Sequence, residues 1–238
     1  METGLYVLVS GQLALQRRLD TIANNVANSS TSGFRAENVT FESILSNQSI
    51  AYSSRGGTTF SMASGGLTQT DNPLDMAIQG DAFFAIATPA GKVYTRDGRL
   101  SVSSTGELQT LNGHAVLDTS GAPLQVNPGQ GSISVAPNGV LSQNGKPTGT
   151  IGLFKLPAGA QLQRGSGAGL VSDLPAEPVA NFTENSIKQG YVEGANVNAV
   201  REMTRLVAVS RTFEAISSSL SESDRKLDES IRALGGSR

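Results

Sequence analysis

The sequence predicts an α+β fold, with paired N- and C-terminal amphipathic helices, coiled-coil-like, flanking a central and mainly antiparallel β domain. Three observations predict it. Apolar residues recur at both ends with alternating three- and four-residue spacing, glycines crowd the middle, and turn dipeptides punctuate that middle at short intervals.

At the N-terminal end, Leu5, Leu8, Leu15, Leu19, Ile22 and Val26 keep the a/d spacing of a helix packing along another helix, with Gln12 as one polar seam position. A helix is expected from residue 1 to about 28, with 29–33 as its exit. Asn24, Asn25 and Asn28 extend that helix poorly, because Asn costs about 0.6 kcal/mol relative to Ala in a helix interior. Two uses of these amides stand open. They end the helix through left-handed or side-chain-bonded turns, with Gly33 supplying a permissive backbone before Phe34. Alternatively they hydrogen-bond across a packed interface and fix its register. Residues 1–35 thus read as an N-terminal helical assembly segment.

From 36 to 70 the pattern is irregular and rich in Ser, Gly and Asn, with Phe41, Ile44, Leu45 and Phe60 as isolated anchors. An extended connector that packs on something is expected there. Residues 71–190 read as the central β-rich domain. Ala82 to Thr88 is a short apolar run and Lys92 to Thr95 a strand candidate. Asp97-Gly98, Thr105-Gly106, Asn112-Gly113, Ser120-Gly121, Asn138-Gly139 and Asn144-Gly145 carry hairpin-like turn signals. Gly165-Ser166-Gly167-Ala168-Gly169 is expected as a mobile loop. Residues 191–238 read as the C-terminal helical assembly segment. There Leu206, Val209, Phe213, Ile216, Leu220, Leu227, Ile231 and Leu234 repeat the 3.5-residue average, with Ser223 filling a gap.

Composition removes whole classes of function. A formal net charge of −2 and a single basic doublet, Arg17-Arg18, offer no concentrated cationic surface for nucleic acid. The chain has no Cys, which excludes disulfide and thiolate chemistry. Its one His, His114, sits beside the Asn112-Gly113 turn and cannot make a two-histidine metal site. Gly139 to Lys146 has the wrong spacing for a phosphate loop, and Pro147 follows where a helix must start. Asp71, Asp75 and Asp81 lack the glycine and the twelfth-position Glu of a calcium loop. No enzyme, no cofactor, no metal and no small-molecule substrate is expected. No run approaches the eighteen apolar residues of a membrane span, and no basic n-region precedes an apolar one, so neither membrane insertion nor a cleaved signal peptide is expected.

The residues at both ends also carry a resemblance. Ile22-Ala23-Asn24-Asn25-Val26-Ala27-Asn28 through Thr31-Ser32-Gly33-Phe34-Arg35 resembles the N-terminal signature of the bacterial flagellar axial proteins of rod and hook. Gly190-Tyr191-Val192-Glu193-Gly194-Ala195-Asn196-Val197-Asn198, then Glu202-Met203 and Arg211-Thr212-Phe213-Glu214-Ala215, is similar to the C-terminal signature of the same proteins. Asn72-Pro73-Leu74-Asp75-Met76-Ala77-Ile78-Gln79-Gly80-Asp81, Phe83-Phe84 and Tyr94-Thr95-Arg96-Asp97-Gly98 resemble the opening of their β domain. The sequence departs from the family pattern at Ala82, Ala195, Ser210 and Ile216. Hook members insert extra domains for which 238 residues leave no room, and the Asn72-Pro73-Leu74-Asp75 opening, the moderate length and the absence of a long insertion after the first helix resemble the proximal-rod members more than the distal-rod members, which stand as the alternative within the family.

The resemblance implies a structural subunit of the rod that crosses the periplasm, exported through the flagellar type III apparatus, with other rod subunits and itself as partners. Under that reading Leu8, Leu15, Ile22, Leu206, Phe213 and Leu220 drive assembly, and Asn24, Asn25 and Asn28 set register. Gly33, Phe34, Asn196, Asn198 and Met203 join them as signature residues. The alternative from another class is an oligomeric β-rich module that binds a ligand. A module forms one closed oligomer, whereas a rod subunit polymerises only on a growing end.

Overall fold

The computed structural model describes residues 2–40, 42–45, 51–54, 57–129 and 131–235. The chain forms two compact units. One is built from the segment ending at Ala27, Glu37–Thr59 and the segment from Asn198 onward; the other from Asn28–Ala36 and Phe60–Val197.

The first unit is helical. Helix α1 spans Glu2–Ala27 and helix α2 spans Ala199–Gly235. They lie against each other and run antiparallel: Gln12 Nε2 donates to Ser217 Oγ at 3.1 Å, while Ile22 and Asn25 line a cleft with Glu202 and Arg205 nearer the start of α2. The expected seams face inward: Ile22 and Val209 are buried, and Leu8, Leu15, Leu19, Leu206, Phe213, Ile216 and Leu220 are half-buried. The side chains of Leu5, Ser223, Leu227, Ile231 and Leu234 lie outside those described. Glu37–Val39 pairs with Thr58–Phe60, and Glu42–Leu45 pairs antiparallel with Ala51–Ser54. Among its described residues the expected 36–70 connector forms short paired strands. Phe41 lies outside the described residues, as do the side chains of Ile44 and Leu45.

The second unit is β. Its nine-stranded sheet centres on Phe83–Thr88, which pairs antiparallel with Gly91–Thr95, Ala115–Val116 and Leu153–Lys155. The apolar run at Phe83 is unbroken because the strand is covered on both faces. Phe84 and Ile86 point into one core with Leu108, Leu141 and Leu153, while Phe83 and Ala85 point into a second with Tyr94, Phe154 and Leu170. A three-stranded meander follows, Ile133–Val135, Val140–Gln143 and Lys146–Thr150, turning at Asn138-Gly139 and Asn144-Gly145 as expected. Two ladders join the start of this unit to its end: Met76–Gln79 with Ser186–Gln189, and Leu67–Gln69 with Tyr191–Glu193.

Three expectations need correction. Residues 191–198 are not helical, because Tyr191–Glu193 completes a ladder and α2 begins only at Ala199. Asp97-Gly98 is not a hairpin turn; the Met76 carbonyl occupies the space of a Gly98 Cβ, and Met76 N donates back to Gly98 O at 2.9 Å. Glycine stands there for close backbone approach. The Gly165 to Gly169 stretch is a tight turn between paired strands Leu162–Arg164 and Leu170–Ser172, closed by Gly165 N to Gly169 O at 2.9 Å.

Candidate functional site

Both signature segments converge in the β unit, on the residues where the chain leaves that unit and returns to it. After α1, Thr31 N donates to Asn28 O at 3.0 Å and Phe34 N to Thr31 O at 3.2 Å, so consecutive turns carry the backbone round. Gly33 takes φ 69°, and a Cβ there would collide with the backbone of Arg96 and Asp97. Its N–H donates to Glu193 O at 2.8 Å. Only glycine satisfies the dihedral and the space together.

The next two residues, Phe34 and Arg35, are buried. Arg35 Nη2 meets Glu193 Oε1 at 2.8 Å and Arg96 Nη1 meets Glu193 Oε2 at 3.0 Å, with all three side chains essentially inaccessible. Gly65 N adds a third donor to the carboxylate, at Oε1, 2.8 Å away. Arg35 also donates to Ala63 O, and Arg96 to Ile78 O and Gly80 O. The Nε atoms of Arg35 and Arg96 are buried without a hydrogen-bond partner; both guanidinium groups instead flank the Phe83 ring, 5.9 and 4.9 Å from its centroid. Burial leaves the Arg96 pKa below its ordinary value and the Glu193 charge offsets part of that, so the carboxylate helps to keep the cation tolerable in the interior. Arg164 covers the outside of this cluster, its guanidinium 4.3 Å from the Phe34 ring and 4.7 Å from the Phe60 ring, and donates to Arg35 O at 2.8 Å.

Asn196 stitches the same place from the other signature. Its N–H donates to Phe34 O at 3.2 Å, its Oδ1 accepts from Ala36 N at 2.6 Å, and its Nδ2 donates to Ser61 O at 3.0 Å and Ala63 O at 2.7 Å. One residue thus holds two separate stretches of chain, 34–36 and 61–63. A carboxylate with three donors and an amide with both ends engaged are not available for proton transfer or ligation. The arrangement holds backbone in place and does nothing chemical.

The remaining signature residues divide. Asn25 is buried in the helical unit, where its Nδ2 donates to Glu37 O at 2.8 Å and its Oδ1 accepts from Glu37 N at 2.9 Å. This two-point pairing pins the first strand onto α1 within one chain, a use that neither open alternative described. Asn24 is exposed, and Asn28 accepts from Thr31 in the exit turn. Asn198 caps α2, its Oδ1 accepting from Arg201 N at 3.0 Å. Met203 faces solvent, away from the seam. Sequence reasoning gave no role to Arg35, Arg96, Arg164 or Glu193. The available signal was an arginine directly after Phe34 and a single acidic residue, Glu193, within the stretch from Gly190 to Asn198.

Comparison with known proteins covers the chain end to end. Residues 5–35 match the family model "Flagella basal body rod protein", residues 77–143 "Flagellar hook protein FlgE/F/G D1 domain", and residues 188–233 "Flagellar basal body rod FlgEFG protein C-terminal". The flagellar basal-body rod protein FlgF of Mesorhizobium japonicum is 47% identical over 99% of both chains. FlgF of Rhizobium meliloti is 41% identical over 100% of both, and the rod protein FlgG of Bacillus subtilis is 30% identical over 97% of this chain and 98% of its own.

Proposed function

The chain belongs to the flagellar basal-body rod protein family, and from that premise we propose how it serves there: as a structural, non-enzymatic rod subunit whose two ends assemble and whose junction carries load. The observation that carries this reading is the joint grip of Glu193 and Asn196 on residues 33–36 and 61–65. Torque applied to a β unit passes to the helices along the chain segments that join them. Here those connections leave from backbone fixed by buried ion pairs and hydrogen bonds, so strain is not absorbed by slack linkers.

The seam of Leu8, Leu15, Ile22, Leu206, Phe213 and Leu220 keeps the two helices together, and the helices then present their outer faces to neighbouring rod subunits. Polymerisation adds apolar burial at about 25 cal/mol per Å² that a single copy does not reach. Other rod subunits and further copies of the chain are the partners this reading requires, with export through the flagellar apparatus and a place in the periplasmic rod. No described helix is long and apolar enough to cross a membrane.

The test is purification of basal bodies from cells carrying a tagged chain, with and without Asn196→Ala combined with Glu193→Ala. The parent chain is expected in the rod fraction of swimming cells, and the double variant absent from it with motility lost. Swimming cells whose rods contain none of the parent chain overturn the reading.

A further inference from the structure

Every strand of the nine-stranded sheet lies between Phe83 and Pro178, and the three-stranded meander ends at Thr150. The β unit nevertheless depends on a stretch that comes later, residues 184–197. Strand Met76–Gln79 shows this most clearly. Met76, Ala77 and Ile78 are fully buried, and among the described residues the ladder that partners this strand is the one with Ser186–Gln189. Without it, backbone N–H and C=O groups of a buried strand lie unpaired in the interior.

The same stretch reaches four other places. Asn185, itself buried, accepts Ala82 N on its Oδ1 at 2.9 Å. Ile187 enters the larger core, and its N–H donates to Pro137 O at 2.9 Å. Gln189 accepts from Val135 N at 3.1 Å and donates to Ile133 O at 2.9 Å and Pro73 O at 2.8 Å, which ties the meander to the start of the unit. Glu193 supplies the carboxylate between Arg35 and Arg96. Buried donors and charges laid down early in the chain are thus satisfied by one late stretch.

We propose that residues 184–197 are a closing strap: their docking limits the folding of the whole β unit, and the sheet does not consolidate ahead of them. The strap is a property of the single chain and stands apart from the rod reading. Two opposing effects produce it. Before the strap docks, apolar burial in the sheet is opposed by the Arg96 guanidinium without its carboxylate and by the unpaired backbone of Met76–Gln79. Docking in turn closes separations of 107 residues from Gln79 to Ser186 and 158 from Arg35 to Glu193, and that loop entropy is lost before the contacts compensate for it. A chain that emerges N-terminus first therefore stays open until this stretch is free, although every strand of the sheet is already present.

Because the chain has no Cys, the strap can be closed in advance with engineered thiols. Gln79 and Ser186 are Cα partners at the end of the ladder, the first exposed and the second half-buried, at a separation that a disulfide spans. The full chain carrying Gln79→Cys with Ser186→Cys is unfolded in urea and refolded, either oxidised or reduced, with pulses of hydrogen exchange at increasing times. Closing the loop beforehand removes its entropy from the unfolded chain. The sheet amides of Leu117 and Leu124, which donate to Ala85 O and Val116 O, should therefore gain protection on the order of tenfold faster in the oxidised chain than in the reduced one. Equal or lower rates overturn the inference, since the sheet then forms first and the disulfide only slows its opening. In the parent chain the same two amides are expected to gain protection in one phase with the strap amides of Ile187 and Gly194, which donate to Pro137 O and Gly66 O. Sheet protection in an earlier phase overturns the inference as well. Neither result depends on whether the chain enters rods, so the rod reading stands or falls separately.

Discussion

The junction around Glu193 and the pair of terminal helices are built on opposite terms. The junction buries two arginines, a glutamate and a phenylalanine behind backbone hydrogen bonds made within the chain. The helix pair buries little completely, keeps its seam half in water and leaves a second apolar face uncovered. One region is finished in the single copy and the other is not. A subunit that must hold its own shape and yet add to a polymer is served by this division, because completeness at the junction preserves geometry while incompleteness at the helices supplies the drive to assemble.

The comparison breaks most visibly at Glu193. Glu193→Ala strands two buried guanidinium groups without a counter-charge, a loss of about 3–5 kcal/mol. Thermal unfolding of the purified chain should show its β transition lowered by on the order of 10 °C. An unshifted midpoint means the junction is not the stable region described.

A smaller effect is expected at the glycine. Gly33→Ala combines a positive φ with collision against the Arg96 and Asp97 backbone, costing about 2–3 kcal/mol. Gly113→Ala also meets a positive φ but has open space around its Cβ position, so about 1 kcal/mol is expected. Denaturant titration of the two variants separates crowding from dihedral strain, and equal losses contradict the packing described at Gly33.

Within the helical unit, Asn25→Asp replaces the donor to Glu37 O by a second acceptor in a buried position, for a loss of about 1–3 kcal/mol. Asn24→Asp, at an exposed position, should cost under about 0.5 kcal/mol. Circular dichroism during urea unfolding distinguishes them. Equal sensitivity removes the intrachain pairing as the reason for the asparagine cluster.

The smallest effect belongs to the surface pair Lys155 and Asp81, 2.7 Å apart and each about half exposed. The Lys155 ammonium holds the Asp81 carboxyl below its ordinary pKa, so the contribution of the pair is present above the usual carboxylate range and fades as pH falls through it. Exposure screens it. Lys155→Gln should leave the melting midpoint at neutral pH unchanged within error; a shift rivalling that of Glu193→Ala puts stability on the surface instead of in the junction.

How legible all this was in the sequence follows from which signals are local. The seams were readable because burial repeats at 3.5 residues, and Ile22, Val209 and Phe213 face inward as that period requires. The strand at Phe83 and the turns at Asn138-Gly139 and Asn144-Gly145 were readable from apolar runs and dipeptides. The role of Gly98 was not, since close approach of the distant Met76 carbonyl leaves no trace beside it in sequence. The junction was half legible. Gly33, Phe34 and Asn196 stood out as signature residues, but the ion pairs joining Arg35 and Arg96 to Glu193 close separations of 158 and 97 residues, and neither periodicity nor turn chemistry reports a contact at such a distance in sequence. Asn25 was singled out for its poor fit to a helix, and the physical reason proved to be the backbone of Glu37.

The claim that the junction is complete in one copy while the helices await others is tested most directly by native-state hydrogen exchange on the purified chain. The amides of Gly33, Gly65 and Asn196, which donate to Glu193 O, Glu193 Oε1 and Phe34 O, should exchange only with global opening of the β unit. Amides of α1 and α2 should exchange at least about a hundredfold faster, a gap of about 2.7 kcal/mol. Equal protection of helix and junction amides contradicts the account, because it means the helices are already as complete in the free chain as the junction is.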